Sequence, residues 1–291
     1  MNNQESLHSI IPQLALKALM YEVSVSPKPG LVDRFNNGSH NDMNFYTFVD
    51  SVLSFESYFK QYYELGRHLS NTSELTELFD GSRQIGIEAE KAMFKATKGI
   101  NTHKGANFSF ALLLVTIGYM VERHHLTTWT KTNTNDMLDL ISQMTKDVLL
   151  QDFDDVHLKD KLSHGEVLFV EHGITGIRGE AVSGYPILKD ILMPYLRKLD
   201  GHLVEHDLLK ALLLVMGHIE DGNIIYRGGF DAWEQVKSEA LALFNEPLNQ
   251  EEFLKEMDDY DAKLIERHLS PGGAADALGL GIFLHLLEAI D

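Results

Sequence analysis

Phe45-Tyr46-Thr47-Phe48-Val49-Asp50-Ser51-Val52-Leu53-Ser54-Phe55 decides the fold class of this chain. Phe45, Phe48, Val49, Val52 and Phe55 recur at intervals of three and four, which lays one apolar stripe along a helix. A half-buried strand would alternate instead. Working outward, Leu14, Ala18 and Leu19 fall on one face ahead of Val23, with Pro12 near the start of that helix, where a missing N–H is tolerated. The same periodicity predicts helices over 74–96, 106–121, 134–149, 203–219, 231–244, 251–268 and 274–290. No period-two run bounded by hairpin turns appears. The expected architecture is all-α: residues 1–291 as a single large helical domain whose helices are joined by Gly-rich, charged loops.

The charge balance narrows the partners. Lys plus Arg is 25 and Asp plus Glu is 43, a formal net charge of −18, and a field of that sign repels nucleic acid and anionic membranes. A small anion remains admissible where Lys and Arg cluster locally. With no cysteine there is no disulfide, thiolate metal site or cysteine nucleophile. Residues Met1 to Leu7 do not resemble a signal peptide, and the longest apolar stretch, Phe108 to Val121, is shorter than the roughly 20 residues of a membrane span. The expectation is a cytoplasmic protein that binds neither nucleic acid nor membrane.

Five interruptions carry the chemistry. Ser26-Pro27-Lys28-Pro29-Gly30-Leu31-Val32-Asp33 is barred from helix by its prolines. Thr102-His103-Lys104-Gly105 opens the most apolar helix. Gly173-Ile174-Thr175-Gly176-Ile177-Arg178-Gly179-Glu180 places three glycines at intervals of three. Asp221 to Gly229, with Arg227-Gly228-Gly229 at its end, reads as a loop between two helices. Ser270-Pro271-Gly272-Gly273-Ala274-Ala275-Asp276 opens the last helix. Unpaired N–H groups at a helix N-terminus attract phosphate, glycine lets an oxyanion approach, and a nearby cation adds full charge. Lys28, Lys104, Gly105, Arg178, Arg227, Gly272 and Gly273 are thus candidate nucleotide contacts. Asp221 and Asp276 are candidate Mg²⁺ ligands, since Mg²⁺ takes oxygen donors and bridges to phosphates. Asp33 and Glu180 are candidates for a general base, and His103, beside Lys104, could polarise a leaving group or hold a phosphate. Each loop alone also reads as a helix cap or turn, as Ser163 with Glu166 does. Neither a P-loop nor a dinucleotide fingerprint is present, and no His-Glu-x-x-His pattern supports a zinc enzyme.

Taken together, Ser26–Asp33, Thr102–Gly105, Gly176–Glu180, Arg227–Gly229 and Ser270–Asp276 resemble, in this order, the triphosphoribosyl-dephospho-coenzyme A synthase family, over nearly the whole chain. The resemblance implies an all-helical transferase acting on ATP and 3′-dephospho-coenzyme A. In that reaction the 2′-hydroxyl of dephospho-coenzyme A attacks the anomeric carbon of ATP, adenine leaves and the triphosphate is kept. It also implies a role in making the prosthetic group of citrate lyase, or of malonate decarboxylase, and a functional link to a lyase acyl-carrier subunit and its prosthetic-group transferase. A homodimer would follow if one helical stripe stays uncovered. Two other readings satisfy the same loops: an all-α nucleotide hydrolase, and a regulator that binds nucleotides without turnover.

Overall fold

A computed structural model describes residues 3–154, 156, 162, 164–199 and 203–290; Ser163 and most of the acidic stretch near 151–161 lie outside them. The described residues contain helices and no strand. In chain order the helices are α1 (Asn3–Ser24), α2 (Phe45–Ser54), α3 (Glu56–His68), α4 (Leu75–Ala96), α5 (Lys104–Arg123), α6 (Lys131–Asp154), α7 (His164–His172) and α8 (Gly176–Val182). A π-helical turn, Ile187–Leu192, leads into α9 (Met193–Leu196), followed by α10 (Glu205–Met216), α11 (Gly222–Asn245), α12 (Gln250–Glu266) and α13 (Gly272–Glu288).

The central element is α5. All of its residues from Ser109 to Val121 are buried, so its apolar composition is explained by protein on every side. It is long and apolar enough to cross a membrane, yet 83% of its most apolar window is inside the fold. Helix α3 lies against it at backbone distance. A Cβ on Gly66 would stand 1.9 Å from the Val115 carbonyl oxygen, and one on Gly118 would stand 2.1 Å from that of Tyr63. Any side chain at either position would force the pair apart. Phe59 stacks between Phe55 (5.5 Å) and Phe110 (5.1 Å), and Phe110 meets Phe283 of α13 at 5.6 Å. Each of these buried rings contributes roughly 1.5–3 kcal/mol of apolar transfer. One continuous core thereby joins α1, α3, α5, α10 and α13.

Beyond the π-helical turn and α9, which the periodicity did not predict, four segments depart from the sequence expectations. Helix α1 starts at Asn3, so Pro12 lies inside it and leaves one turn without an N–H. Helix α3 carries Phe59, Tyr62, Tyr63 and Gly66 on its buried face, the three-and-four spacing again, and belongs with the periodic segments. Arg178, Gly179 and Glu180 are helical, in α8. Arg227-Gly228-Gly229 lies within α11, which kinks at Gly229, where φ is 78°. Only glycine enters that conformation without strain.

The helices that matter for function begin close to one another. The N-termini of α5, α11 and α13 meet beside the C-terminal end of α1 and the irregular segment after it.

Candidate active site

Asp221 is the N-cap of α11. Its Oδ1 accepts from the N–H groups of Asn223 (2.9 Å) and Ile224 (3.3 Å), and its Oδ2 accepts from Ala274 (3.0 Å) in the first turn of α13. The Gly273 N–H faces it as well. One carboxylate therefore caps two helices. Burial raises its pKa to about 6 against the opposing pull of those N–H groups. Gly273 leaves it room, since a Cβ there would stand 3.1 Å from Oδ2, and a Cβ on Gly272 would meet the Asn223 amide at 2.7 Å.

Asp276 stands one turn further along α13 and is placed differently. Among the described residues, only the Ala106 N–H, in the first turn of α5, faces its carboxylate as a donor. A Cβ on Gly105 would stand 2.3 Å from Oδ2, so glycine is what admits the carboxylate to the N-terminus of α5. Burial first, then the neighbouring Glu22 and Asp221, push its pKa well above the usual carboxylate range. A carboxylate has about four acceptor positions. Most of those of Asp276 are not taken up by the described residues.

Glu22 and Lys28 complete the buried cluster. Lys28, 2% exposed, donates from Nζ to the Glu22 carboxylate at 2.5 Å and to its carbonyl at 3.0 Å. Removing one partner of such a buried pair costs about 3–5 kcal/mol, because the other charge stays behind. With Glu22 and Lys28 cancelling, Asp276 and Asp221 are the acidic groups left over in the cluster, both with pKa raised by burial. His103, the residue before α5, is 2% exposed; burial first and the Lys28 charge second lower its pKa to about 3, so it is neutral. Its Nδ1 is 2.7 Å from the Ser51 hydroxyl, which also accepts from Thr102 at 2.7 Å. Its buried Nε2 has no hydrogen-bond partner among the described residues.

From the same N-terminus of α5 a cavity of about 270 Å³ opens. Two stripes of equal spacing make its walls: Phe79, Ser82, Arg83, Gly86, Ile87 and Glu90 on α4, and Lys104, Asn107, Phe108, Ala111 and Leu112 on α5. Leu149 of α6 and Ile177 and Arg178 of α8 close it. Lys104 pairs with Glu90 at 2.8 Å, and Arg178 stands 3.8 Å from Glu166. Glu180 is two residues beyond Arg178, about half a turn round α8, half-buried and accepting from the Ile187 N–H at 3.2 Å. Burial first, then the Glu220 charge, raise its pKa to about 7. Glu220 accepts from the N–H of Gly176 at 3.3 Å and precedes Asp221, which ties α8 to the junction.

The candidates thus separate. Lys28, His103, Lys104, Gly105, Asp221, Gly272, Gly273 and Asp276 meet at the junction, with Arg178 and Glu180 beside it. Asp33 and Arg227 lie in the bracing of the segment after α1. Asp33 accepts from the N–H groups of Lys28 (2.9 Å), Phe35 (2.7 Å) and Asn36 (3.0 Å). Arg227 donates to the carbonyls of Ser39 and His268, both at 3.1 Å. Glu22, Arg83, Glu90 and Asn107 escaped the sequence reading. Asn107 had a signal, an amide three residues after Lys104 on an otherwise apolar helix; Glu22 and Glu90 had none. No three His, Asp or Glu side chains among the described residues are grouped to hold a metal ion unaided.

Helix N-termini, cations at the mouth of a cavity and a buried carboxyl group at the junction are the features of an all-helical enzyme that handles phosphorylated nucleotides. The family model for ATP:dephospho-CoA triphosphoribosyl transferase matches residues 8–291, and the chain belongs to that family. A protein of Streptococcus equi subsp. equi, named a probable 2-(5''-triphosphoribosyl)-3'-dephosphocoenzyme-A synthase, is 46% identical over 285 residues, 96% of each chain. Proteins of the same name from Streptococcus pyogenes serotype M2 (44% over 286 residues, 96% of this chain and 97% of the other) and Streptococcus mutans serotype c (42% over 297 positions, the whole of both) are similar. No solved structure matches the chain.

Proposed function

We propose that the junction of α5, α11 and α13 transfers the triphosphoribosyl group of ATP to the 2′-hydroxyl of 3′-dephospho-coenzyme A. The C1′–N9 bond of ATP breaks and a C1′–O bond forms. The hydroxyl gives up its proton, and the departing adenine takes one up. The observation that carries this reading is Asp276, an under-satisfied carboxylate held by Gly105 against a helix N-terminus, beside a cavity bordered by Lys104 and Arg178.

A cationic sugar forming at C1′ calls for a nearby carboxylate, which Asp276 supplies. Lys104 and Arg178, at the mouth of the cavity beside the N-terminus of α5, hold phosphate oxygens. Glu180, with a pKa of about 7, is poised to take the hydroxyl proton. Lys28 balances Glu22 and keeps His103 neutral, a supporting role in place of a phosphate contact. The oxygen donors of Asp276, little used by the described residues, suit Mg²⁺, whose charge would favour the ionised carboxylate, whereas the oxygens of Asp221 are committed to helix N–H groups. When bound, Mg²⁺ would supply charge neutralisation for the triphosphate. The product then serves citrate lyase through its acyl-carrier subunit, in the cytoplasm where both substrates occur.

Incubation with ATP, Mg²⁺ and dephospho-coenzyme A tests this directly. Adenine should appear only when dephospho-coenzyme A is present, matched by a triphosphoribosyl adduct in the mass spectrum. Release of phosphate instead would make the protein a hydrolase, and nucleotide binding with no turnover would make it a sensor.

A further inference from the structure

We infer that the α4–α5 cavity is the adenine pocket of this enzyme and that Asn107 is the residue that reads the base. This deepens the transfer reading above and rests on it. Apolar side chains, Phe108, Ile87 and Ile177, stand on different walls of the cavity, which suits a flat aromatic base. Arg83, Lys104 and Arg178 border the same space, where the phosphates of a nucleotide would lie.

Asn107 is 4% exposed and lines the cavity. Its orientation is set by two contacts. The Tyr62 hydroxyl donates to Oδ1 at 3.0 Å, and Nδ2 makes a long contact, 3.4 Å, to the Gly86 carbonyl, which can only accept. Burial holds the Tyr62 phenol protonated, so it remains a donor. Oδ1 keeps a second lone pair and Nδ2 a second proton. A fixed donor beside a fixed acceptor matches adenine, whose 6-amino group donates next to an accepting ring nitrogen. A 6-oxo purine would set oxygen against Oδ1. Sites that hydrogen-bond one such group reject the analogue lacking it far more strongly than apolar pockets do.

Both substrates carry adenine, and the test separates them. Turnover of Asn107→Leu is compared with that of the wild type for ATP against inosine triphosphate, and for dephospho-coenzyme A against its hypoxanthine analogue. Binding of free adenine is followed by calorimetry. A fall of tenfold or more in the ATP preference, with adenine binding lost, is the expected result and places the ATP base in the cavity. The same fall on the dephospho-coenzyme A side alone keeps the pocket and assigns it to that substrate. Ile87→Trp at the rim, where the residue is 45% exposed, should raise one KM at least fivefold with an unchanged melting temperature, so the proposal does not depend on the buried variant folding. Unchanged base preference in Asn107→Leu together with unchanged KM values and adenine binding in Ile87→Trp would overturn it. If the wild type released no adenine, the transfer reading would fail separately, while adenine calorimetry would still decide the pocket.

Discussion

The segment from Ser26 to His40 and the junction where α5, α11 and α13 begin are made of the same materials, glycines beside charged side chains, and they use them differently. In the first, polar groups pair with one another. Both oxygens of Asp33 accept from loop N–H groups, Asp261 accepts from Gly30 (2.8 Å) and Asn36 (2.7 Å), and the Ser39 hydroxyl donates to the Leu269 carbonyl (2.6 Å). In the second, Asp276 faces a single N–H, sits among other carboxylates and is admitted only because Gly105 lacks a side chain. Saturated groups brace a fold. Under-satisfied ones are available to a ligand.

The contrast can be broken most severely at Gly105. Gly105→Ala puts a methyl group against the Asp276 carboxylate and should lower adenine release about a hundredfold or more, the scale of a 1 Å misplacement. Because alanine is the better helix former, the melting temperature should hold. An active Gly105→Ala enzyme would mean that the carboxylate position is not critical.

Asp33→Ala should do the reverse. Losing the acceptor for three N–H groups costs about 2–3 kcal/mol of stability by urea titration, while the folded fraction keeps turnover within roughly threefold. A large loss of turnover at unchanged stability would move Asp33 into the chemistry.

Glu180→Gln sharpens the comparison through pH. As a base with a pKa near 7, Glu180 should make kcat/KM rise with pH through that region, and the variant should lose the rising limb. Stability carries the opposite sign. A carboxyl whose folded pKa lies above its unfolded value of about 4.5 favours the fold in acid, and this contribution disappears as pH rises through about 7. The variant should therefore be more stable than the wild type at pH 8 and show no such gain at pH 4. The smallest effect is expected at Arg227→Ala, about 1 kcal/mol or less, since its guanidinium is exposed and its two carbonyl partners can turn to water.

Much of this was legible in the chain. The three-and-four spacing at Phe45–Phe55 specified helix because an apolar stripe must be buried, and α2 and α4–α6 follow the periodicity to within a few residues. Composition could mark Gly105, Gly272 and Asp276 as belonging near helix starts. It could not tell that Asp221 would be saturated by two helices, or that Asp33 would turn inward on its own loop, because satisfaction of a polar atom depends on neighbours distant in sequence. Asp221 and Ala274 are 53 residues apart. The kink at Gly229 looked like a loop because glycine pairs end helices more often than they bend them. The cavity was half visible, as the α5 stripe, while its α4 partner carried no distinguishing residue.

The central claim is that Asp276 is held unsaturated for the reaction. Asp276→Asn assayed for adenine release at saturating ATP and dephospho-coenzyme A, with its melting temperature taken on the same sample, tests it most directly. Turnover should fall at least a hundredfold while the melting temperature stays level or rises, because a neutral amide escapes the penalty that burial first, and Glu22 and Asp221 second, place on a carboxylate there. Wild-type turnover, or a loss of turnover explained by unfolding, would contradict it.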